Sequence, residues 1–503
     1  MDIANWIERW AAFQPEKFAL RFEGSALGYA AFADRIAAVA RMLKSELGIG
    51  RGDRIAFLGY NSPEFLALLF ACARLGAMLV PLNWRLAAPE HRYILSDAAA
   101  AALFVEPELV DHAEQLRAAL PDCRFVGLGT AKADWLAYDA LIGEAGGDGR
   151  NPHVGLETPL LIVYTAGTTG RPKGAVLTQS ALTWNAVNAT AMHDLTSRDA
   201  VLTTLPLFHV GGLNIQTLPA LHAGAAVILH RRFELELAMR AIAEDRPSLT
   251  VLVPAQLKAL IEHPGWVRLD LGSLRAVTTG STIVPLPLIE AWHARGVPII
   301  QVYGSTETAP VAVHQRIEDA RATAGSTGKP ALHCEARIVT REGREAGPGE
   351  RGEILVRGPN VMFEYWGDPA ATAEALRDGW FHTGDVGHRD ERGNFYVDER
   401  KKDLIISGSE NIYPAEIEAV LQESAAIADA AVVARPHERW GEVPVAVVVP
   451  RPGAELTRDA VLALFEGRLA RFKHPHDVLF VAELPRNAMG KVLKYRLREI
   501  VKG

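Results

Sequence analysis

The sequence predicts an α/β fold in which a large N-terminal domain, built on parallel or mixed sheets flanked by helices, precedes a small α+β domain. Over the first three hundred residues, short apolar segments alternate with segments of helical periodicity, as in strand–helix–strand units. After about residue 325, short strand-like segments are separated by glycine, proline and aspartate. The length of 503 residues also exceeds what one hydrophobic core usually supports, so we expect at least two domains.

The elements of the first domain follow from local patterns. Helical spacing of apolar residues predicts a helix over residues 30–47, and a strand follows over residues 53–58. Ser62 and Pro63 are typical of a helix start, and this apolar helix should end near Gly76. Further strands are predicted over residues 77–82, 100–105, 161–165, 201–207, 249–253, 274–279 and 299–303, and further helices over residues 178–188 and from residue 254.

The C-terminal part follows a different pattern. Predicted strands over residues 336–339, 352–357 and 393–397 indicate a β-rich subdomain at about residues 325–400. We therefore divide the chain into residues 1–400 and residues 401–503, with the boundary at a run of charged residues. The second part should contain helices over residues 415–421 and 458–469, and strands over residues 428–433 and 443–449.

Composition excludes several classes of function. The net charge of −7 provides no electrostatic attraction for nucleic acid or an anionic membrane. Cys72, Cys123 and Cys334 lie far apart, which argues against a disulfide framework or a thiolate metal site and indicates a reducing compartment. The longest apolar run, residues 65–81, is interrupted by Arg74, and the N-terminus lacks a secretory pattern. We expect a cytoplasmic protein without an integral membrane segment.

A glycine-rich segment, residues 164–174, follows the strand at residues 161–165, and the N-terminus of the helix predicted over residues 178–188 should face this segment. Its glycines allow sharp turns, and successive backbone N–H groups form a nest for an anion. The hydroxyls of Thr168 and Thr169 and the ammonium of Lys173 add donors. The spacing does not match a Walker loop, and such a loop by itself is more often an ordinary turn after a strand.

Four further polar clusters decide whether this segment binds phosphate or is only an ordinary turn, because open parallel sheets bind ligands at strand ends. After the strand at residues 299–303, Tyr303 offers an aromatic face for a base, Thr306 a hydroxyl for a phosphate, and Glu307 a carboxylate for magnesium. Each cluster alone is commonly an ordinary surface feature. Together they indicate the binding of ATP.

The other three clusters lie in the C-terminal part. One cluster comprises residues 380–385. Its last residue, Asp385, follows a predicted tight turn, and the Asp385 carboxylate suits a ribose diol. Arg400 provides a cation for a phosphate or ribose, although a charged run of this kind is often only a solvated turn. Lys491 lies on a glycine-containing turn near the end of the chain, where a lysine is otherwise usually solvated.

Residues 164–174, 303–307, 380–385, 400–418 and 485–491 match, in order and spacing, the motifs of adenylate-forming enzymes. The sequence resembles this superfamily, which includes acyl-CoA synthetases, firefly luciferase and peptide-synthetase adenylation domains, over essentially its whole length. It is most similar to bacterial acyl- and aryl-CoA ligases. The resemblance implies that a carboxylic acid and ATP form an acyl-adenylate and pyrophosphate in the presence of Mg²⁺. Coenzyme A, as co-substrate, then forms acyl-CoA and releases AMP.

The family's motifs imply a role for each matching residue. Binding of the β- and γ-phosphates is implied for Thr165, Thr168, Thr169, Gly170 and Lys173, and binding of adenine for Gly280, Ser281, Tyr303 and Gly304. Contact with the α-phosphate is implied for Thr306, magnesium binding for Glu307, and ribose binding for Asp385 and Arg400. Contact with coenzyme A is implied for Gly408, Phe472, Lys473, His474 and His476, although histidines here partly replace the expected basic residues.

The resemblance also implies that the C-terminal domain moves between the two half-reactions. Lys491 should bridge the reacting carboxylate and the α-phosphate in the first step, and a flexible ammonium suits a group that must enter and leave. Rotation about a hinge at Lys402 should then remove Lys491 and bring in Gly408. A homodimer is an expectation from the family alone.

The implied acid pocket consists mainly of small residues. His209 takes the position of a gate between the acid and the pantetheine tunnel; the alternative is a core histidine bonded to the backbone. No fixed positive charge is available for a second carboxylate, which favours a monocarboxylic acid over malonate. A medium- or long-chain fatty acid and an aromatic acid, phenylpropanoid or benzoate-like, both remain open. The predicted lining residues are Asn188, His209, Val210, Gly211, Gly280, Gly304, Pro310 and Val311.

Three positions depart from the family's pattern. Ala166 replaces a usual serine, which should alter the affinity for ATP, and Ser409 replaces a glycine where pantetheine should pass. Residues 279–282 carry larger side chains than the usual Gly-Gly-Ala-Pro. Two rival functions are a stand-alone adenylation enzyme that loads a carrier protein and a non-catalytic nucleotide-sensing homologue. The presence of Lys491 argues against the sensor, which has no need of it.

Overall fold

The computed structural model describes residues 2–130, 132–165, 172–280, 284–400, 403–407, 410–438, 440–466, 468–469, 471–487 and 490–502. Several predictions lie outside these residues: those on Ala166, Thr168, Thr169, Gly170, Ser281, Lys402, Gly408 and Ser409. The side chains of Arg400 and Phe472 are also outside the description, so the roles implied for them stay predictions.

The strands are short and occur along the whole chain. They are β1 (Phe18–Phe22), β2 (Ser25–Gly28), β3 (Arg54–Leu58), β4 (Met78–Pro81), β5 (Ala102–Val105), β6 (Arg124–Gly127), β7 (Leu136–Ala137), β8 (Pro159–Thr165), β9 (Lys173–Thr178), β10 (Ala200–Thr203), β11 (Ala226–Leu229), β12 (Leu249–Val251), β13 (Ala276–Thr279), β14 (Ile299–Tyr303), β15 (Val313–His314), β16 (Lys329–Pro330), β17 (Glu335–Val339), β18 (Gly352–Arg357), β19 (Glu364–Tyr365), β20 (Leu376–Arg377), β21 (Trp380–Arg389), β22 (Phe395–Arg400), β23 (Ile405–Ser407), β24 (Glu410–Ile412), β25 (Ile427–His437), β26 (Gly441–Pro450) and β27 (Asp477–Phe480).

Most α-helices lie in the first three hundred residues. They are α1 (Ala4–Phe13), α2 (Tyr29–Ser45), α3 (Pro63–Leu75), α4 (Ala88–Asp97), α5 (Val110–Arg117), α6 (Tyr138–Glu144), α7 (Gln179–His193), α8 (Val210–Gly212), α9 (Leu218–Ala223), α10 (Leu235–Glu244), α11 (Pro254–Glu262), α12 (Leu286–Ala294), α13 (Pro369–Ala375), α14 (Pro414–Gln422), α15 (Arg458–Ala463) and α16 (Lys494–Ile500). A π-helical turn (Leu213–Thr217) and short 3-10 turns, among them Thr306–Thr308, interrupt this pattern. Within the described ranges, the structure contains no helix long and apolar enough to cross a bilayer.

The chain divides into two compact units. The first comprises Met1–Gly280, Leu286–Ala336 and Val356–Phe381, and the second comprises Ser281–Pro285, Arg337–Leu355 and His382–Gly503. The β-rich region that the sequence predicts at about residues 325–400 therefore contributes to both units. The domain boundary at residue 400 stays a prediction.

Two mixed sheets form the framework of the first unit. One has the strand order β16-β15-β14-β13-β12-β10-β11-β1-β2, and its central strands are parallel. The other has the order β19-β9-β8-β4-β3-β5-β6-β7, in which β3, β4, β5, β6 and β8 pair in parallel. This confirms the predicted α/β architecture.

Helix α3 shows how local sequence sets these elements. Ser62 Oγ accepts a 3.4 Å hydrogen bond from the Phe65 N–H, and Pro63 occupies the first turn, where a missing N–H is tolerated. At the other end, Gly76 adopts a left-handed φ of 77°, which a glycine accepts without strain. All residues from Phe65 to Leu75 are buried, so this helix belongs to the core rather than to a membrane.

One prediction about the glycine-rich segment is wrong. The sequence predicts a helix from residue 178 whose N-terminus faces that segment, but strand β9 lies between the two. Strand β9 pairs antiparallel with β8, with Thr165 opposite Lys173 at one end and Pro159 opposite Thr178 at the other. Five strand steps of about 3.3 Å each therefore separate the start of α7 from the segment. The strand was missed because its apolar pattern continues directly into the helix.

A second correction concerns Asp385. The sequence predicts this carboxylate after a tight turn, but it lies inside β21, where Gly384 directly before it has a left-handed φ of 67°. A separate tight turn precedes that strand, at Asp378 and Gly379, which both have positive φ. Several elements are shorter than predicted, most clearly α15, which ends at Ala463, and β10, which ends at Thr203.

The second unit contains an antiparallel sheet with the order β24-β23-β26-β25, to which β27 adds in parallel with β26. Strands β25 and β26 alternate between two faces, so that Val432 and Ala446 enter one apolar cluster and Val433 and Val447 enter another. The helices α14 and α16 pack on opposite faces, through Ile417 in the first cluster and Leu497 in the second. This confirms the predicted α+β composition of the C-terminal part.

Candidate active site

The parallel strands of the nine-stranded sheet end at one edge, where three threonine and serine hydroxyls are buried. Thr204 follows β10, Thr279 ends β13, and Ser305 lies two residues beyond β14. In the described part of the chain, the hydroxyl oxygens of these three residues have no hydrogen-bond partner. An unpaired buried hydroxyl costs about 1–3 kcal/mol, so this edge suits a ligand with polar groups.

Two predicted glycines lie at the same edge, in close contact with the backbone. A Cβ on Gly304 would stand 1.6 Å from the Pro310 carbonyl oxygen, and a Cβ on Gly280 would stand 2.7 Å from the Val302 carbonyl oxygen. Any larger residue would therefore displace the chain at either position. Tyr303, also predicted to contact adenine, is 8% exposed at the end of β14.

The turn after β14 places Thr306 and Glu307. The Ser305 N–H donates a 2.9 Å hydrogen bond to Thr308 Oγ1, which closes the 3-10 turn Thr306–Thr308. The Glu307 carbonyl accepts a 2.7 Å hydrogen bond from the Met362 N–H, so the turn is tied to a distant segment of the chain.

Glu307 and Lys173 are brought together around a tyrosine that sequence reasoning missed. Tyr365 Oη donates a 2.8 Å hydrogen bond to Glu307 Oε1, and Lys173 Nζ lies 5.3 Å from the centroid of the Tyr365 ring. Thr165 Oγ1 donates to the Lys173 carbonyl at 3.4 Å, across the pair formed by β8 and β9. Three of the residues predicted for phosphate and metal binding thus lie around one pair of strands.

A signal for Tyr365 exists in the sequence. Residues 363–366 are rich in aromatic side chains and lie between glycine- and proline-containing turns, a pattern typical of a short strand. Nothing local indicates the partner of that strand, however. Tyr365 pairs with Ala175, which is 190 residues earlier in the chain.

The residues predicted to line the acid pocket are held by hydrogen bonds. His209 Nδ1 accepts a 2.9 Å hydrogen bond from the Gly211 N–H, and burial lowers the pKa of His209 to about 4. The imidazole is therefore neutral at pH 7. Asn188 Oδ1 accepts from the His333 N–H at 2.9 Å, and Asn185 Oδ1 accepts from the Val311 N–H at 3.0 Å.

The two alternatives for His209 are thus not exclusive. The ring is bonded to the backbone, as a core histidine would be, and the bond uses only Nδ1. Because Nδ1 accepts, the proton of the neutral ring resides on Nε2. The role of His209 as a gate, and the lining of the pocket by Val210, Gly211, Pro310 and Val311, stay predictions.

A cleft of about 530 Å³ also opens in the first unit, outside the predicted site. Trp184 and His333 contribute a tilted ring pair to it, with centroids 4.8 Å apart. None of the predicted pocket residues lines this cleft, so it does not test their assignment. Its full lining is Trp184, Leu332, His333, Cys334, Glu335, Arg357, Gly358 and Pro359.

The donor set suits magnesium bound mainly by a substrate. Across the described residues, no three His, Cys, Asp or Glu side chains form a cluster able to hold a metal ion. Mg²⁺ bound to nucleotides typically uses one or two carboxylates together with phosphate oxygens and water. Glu307, next to Lys173 and Tyr365, provides a carboxylate of this kind.

In the second unit, two predicted ribose-binding positions lie opposite each other. Asp385 on β21 pairs in register with Arg400 on β22. The Asp385 N–H donates to Thr383 Oγ1 at 3.0 Å, and Asp385 is 6% exposed.

Lys491 lies on the predicted glycine-containing turn. Asn487 Oδ1 accepts a 2.8 Å hydrogen bond from the Lys491 N–H, and the Asn487 N–H donates to the Lys491 carbonyl, also at 2.8 Å. Gly490 has a φ of 76°, the left-handed conformation that lets the chain reverse here.

Lys473, predicted to contact coenzyme A, pairs with a carboxylate in the same unit. Its Nζ donates to Glu416 Oε2, and Arg351 donates to the other oxygen of that carboxylate at 2.9 Å. Arg351 also bonds Asp398 at 3.0 Å. Of the neighbouring histidines, His474 bonds the Leu469 carbonyl at 2.9 Å.

Known proteins resemble the chain over nearly its whole length. The family described as AMP-binding enzyme matches residues 7–366, and its C-terminal domain family matches residues 416–491. An indoleacetate–CoA ligase from Aromatoleum aromaticum is 55% identical over 503 residues, which cover 100% of this chain and 98% of the relative. A feruloyl-CoA synthase from an Amycolatopsis species is 43% identical over 497 residues, with 99% and 98% covered.

A solved structure extends the comparison to the fold. O-succinylbenzoate coenzyme A synthetase from Bacillus subtilis, in complex with ATP and magnesium ion, superposes with a TM-score of 0.87 at 32% identity. The alignment covers 98% of this chain and 99% of that one. The chain therefore belongs to the AMP-binding enzyme family, the adenylate-forming class that its motifs indicate. Within this class it is an ATP-dependent acyl-CoA ligase, an AMP-forming acid–thiol ligase for aromatic or fatty acids.

Proposed function

We propose that the acid is an arylacetic acid, with indole-3-acetate as the first candidate. The observation that supports this most directly is the 55% identity to an indoleacetate–CoA ligase, which extends over the full length of both chains. The feruloyl-CoA synthase, a ligase of another aromatic acid, is 43% identical over nearly the same length. Of the two acid classes that the sequence leaves open, the aromatic one is therefore preferred.

The chemistry of the proposed pocket is compatible with one flat ring and one carboxylate. The residues proposed to line the pocket are mainly small, which is compatible with a planar aromatic ring. His209 is neutral at physiological pH, because burial lowers its pKa to about 4. The proposed lining thus offers no cation for a second carboxylate.

In the first half-reaction, a carboxylate oxygen of the acid attacks the α-phosphorus of ATP. A new C–O–P linkage forms, the bond from the α-phosphorus to the bridging oxygen breaks, and pyrophosphate leaves. Lys173 and Thr165 hold the β- and γ-phosphates, and Thr306 holds the α-phosphate. Positioning and charge neutralisation account for most catalysis of such a transfer.

Magnesium is the implied metal, and Glu307 would hold it. When bound, the ion neutralises phosphate charge as the leaving group departs. Lys491 contacts the incoming carboxylate and the α-phosphate oxygens, where negative charge gathers in the transition state. In the second half-reaction, the thiolate of coenzyme A attacks the acyl carbonyl carbon, and AMP leaves with the bonding electrons. Lys473 contributes to coenzyme A binding.

The test is a thioester-forming assay with the purified protein, ATP, Mg²⁺ and coenzyme A. The acids are indole-3-acetate, phenylacetate, ferulate, benzoate, octanoate, palmitate and malonate. We expect kcat/KM for indole-3-acetate to exceed that for octanoate at least tenfold, because pocket shape discriminates by about 1–3 kcal/mol for each mismatched group. A preference for octanoate, palmitate or malonate would refute the proposal.

A substitution at Gly211 tests whether the proposed pocket determines the specificity for the acid. Gly211→Ala should lower kcat/KM for indole-3-acetate about tenfold and leave the KM for ATP within twofold, because the added methyl group occupies only the acid pocket. Gly155→Ala is the matched control, since a Cβ there meets nothing within 4 Å. Equal loss for all acids in Gly211→Ala would place Gly211 outside the pocket.

A further inference from the structure

Tyr365 contacts both charged side chains that the proposed function assigns to the phosphates and to magnesium. Its hydroxyl donates to Glu307 Oε1 at 2.8 Å, and its ring centroid lies 5.3 Å from Lys173 Nζ. The hydroxyl and the π face are separate parts of the side chain, so one tyrosine makes both contacts at once. Neither contact neutralises the charge of its partner.

The backbone around Tyr365 holds this ring at a defined position. Strand β19 pairs antiparallel with β9, the strand that begins at Lys173, with Tyr365 opposite Ala175. The Trp366 N–H donates to the Gly174 carbonyl at 2.7 Å, and the Tyr365 N–H donates to Thr372 Oγ1 at 2.9 Å.

The same segment also braces the turn that carries Glu307. The Met362 N–H donates a 2.7 Å hydrogen bond to the Glu307 carbonyl, three residues before Tyr365. One short stretch, residues 362–366, therefore binds the backbone next to Lys173 and the backbone of Glu307. Any shift of this stretch would move both charged side chains together.

We propose that Tyr365 is a positioning residue that orients Glu307 for the divalent cation and holds Lys173 for the β- and γ-phosphates. This inference rests on the proposed function. The hydrogen bond occupies one lone pair of Oε1 and leaves Oε2 to face a metal ion. The aromatic face attracts the Lys173 ammonium and leaves its full charge for phosphate, whereas a carboxylate partner would compete with the phosphate.

Two substitutions separate the two contacts. Tyr365→Phe removes the hydroxyl and keeps the ring, and Tyr365→Leu removes both. Tyr396→Phe is the matched control, because its hydroxyl contacts a different carboxylate, that of Asp390, at 3.5 Å in the second unit. Thermal unfolding of each variant verifies the fold.

Nucleotide and metal binding provide a readout besides activity. Calorimetric titration measures ATP binding without a divalent cation, and electron paramagnetic resonance measures Mn²⁺ binding to the protein with ATP. Tyr365→Phe should weaken Mn²⁺ binding three- to tenfold and leave metal-free ATP binding within twofold. Tyr365→Leu should also weaken metal-free ATP binding three- to tenfold.

A double-variant comparison tests whether the metal effect acts through Glu307. In Glu307→Gln, adding Tyr365→Phe should cause no further loss of Mn²⁺ binding. Unchanged Mn²⁺ binding in Tyr365→Phe would overturn the inference, as would equal loss of metal-free ATP binding in both tyrosine variants. If Tyr365→Leu does not fold, the Phe variant still decides the metal contact.

These measurements need no acid, so they separate this inference from the proposed substrate. A wild-type protein that binds Mn²⁺–ATP but activates no arylacetic acid would refute the proposed function and leave the tyrosine variants to be judged on binding alone. A wild-type protein that binds no ATP would overturn both.

Discussion

The candidate residues of the two compact units are held in different ways. In the first unit, Lys173 begins β9 and Glu307 lies on the 3-10 turn after β14, and the Tyr365 side chain on β19 contacts both residues. In the second unit, Lys491 lies on a turn closed by Asn487, and Lys473 is paired with Glu416. A side chain on a paired strand therefore connects the first group, whereas in the second unit one lysine lies on a turn and the other forms an ion pair.

This difference is consistent with the separate roles that we propose for the two groups, one in holding ATP and the other in a single half-reaction. Groups that hold ATP must be in place before the reaction, because preorganised charges cost no reorganisation as the bond forms. A group that serves only one half-reaction must be able to leave, and the flexible stem of a lysine suits such a group. Four predictions test this contrast, in order of decreasing effect.

The largest effect should come from Lys491→Ala. Loss of the ammonium removes charge stabilisation from the adenylation transition state, so ATP–pyrophosphate exchange should fall at least about 100-fold, or about 3 kcal/mol. ATP binding, measured by calorimetry, should change less than threefold, because the proposed phosphate contacts lie in the first unit. Lys502→Ala, an exposed lysine, is the control. Undiminished exchange in Lys491→Ala would remove its proposed role.

The second prediction concerns the rigidity of the first unit. His193 is fully buried, its Nδ1–H donates to the Ala189 carbonyl at 2.7 Å, and its Nε2 accepts from Thr278 on β13 at 2.8 Å. Burial lowers the pKa of His193 from 6.5 to about 4. The unfolded chain therefore binds a proton near pH 6.5, and the folded chain does so only near pH 4. The contribution of neutral His193 to the free energy of unfolding is therefore complete above pH 6.5 and is lost as the pH falls towards 4.

Urea unfolding at pH 7.5 and pH 5 measures this loss. His193 should contribute about 2 kcal/mol to the fall in the free energy of unfolding between these pH values. His193→Gln should show a pH dependence smaller by that amount, and His153→Gln, at an exposed histidine, should match the wild type. An unchanged pH dependence in His193→Gln would show that other groups dominate.

The third prediction concerns the Lys473–Glu416 ion pair of the second unit. Lys473→Ala should raise the KM for coenzyme A about five- to tenfold, because a phosphate contact of about 1 kcal/mol is lost. Pyrophosphate exchange should stay within twofold. Lys494→Ala removes another lysine–carboxylate pair, that with Glu418 at 3.0 Å, and should leave the KM for coenzyme A unchanged. A loss of pyrophosphate exchange in Lys473→Ala would contradict an assignment to the second half-reaction.

The smallest effect should follow Thr178→Ala. Thr178 Oγ1 accepts from the Ala181 N–H at 3.0 Å and caps α7, so its loss should destabilise the protein by about 1 kcal/mol. The KM for ATP should not change, because Thr178 lies at the end of β9 remote from Lys173. Thr457→Ala, which removes the cap of α15 in the second unit, is the control. A raised KM for ATP would place the helix start near the phosphates.

The sequence alone determined the alternation of elements and the positions of the polar clusters at strand ends. Apolar periodicity is local, and so are caps such as Ser62 and Gly76; both are therefore legible without a structure. The ordered motifs from residue 164 to residue 491 also established the enzyme class, since their residue types and spacing are carried by the chain itself.

Only the tertiary structure decided which side chains meet. Strand β9 was not predicted because its apolar pattern continues into α7, and the position of β19 in the sheet was not predicted because no local pattern indicates its partner strand. The contacts of Tyr365 with Glu307 and Lys173, and of Lys473 with Glu416, join residues separated by 57 to 192 positions. Such pairs are selected by sheet register and packing in three dimensions, which no local pattern records.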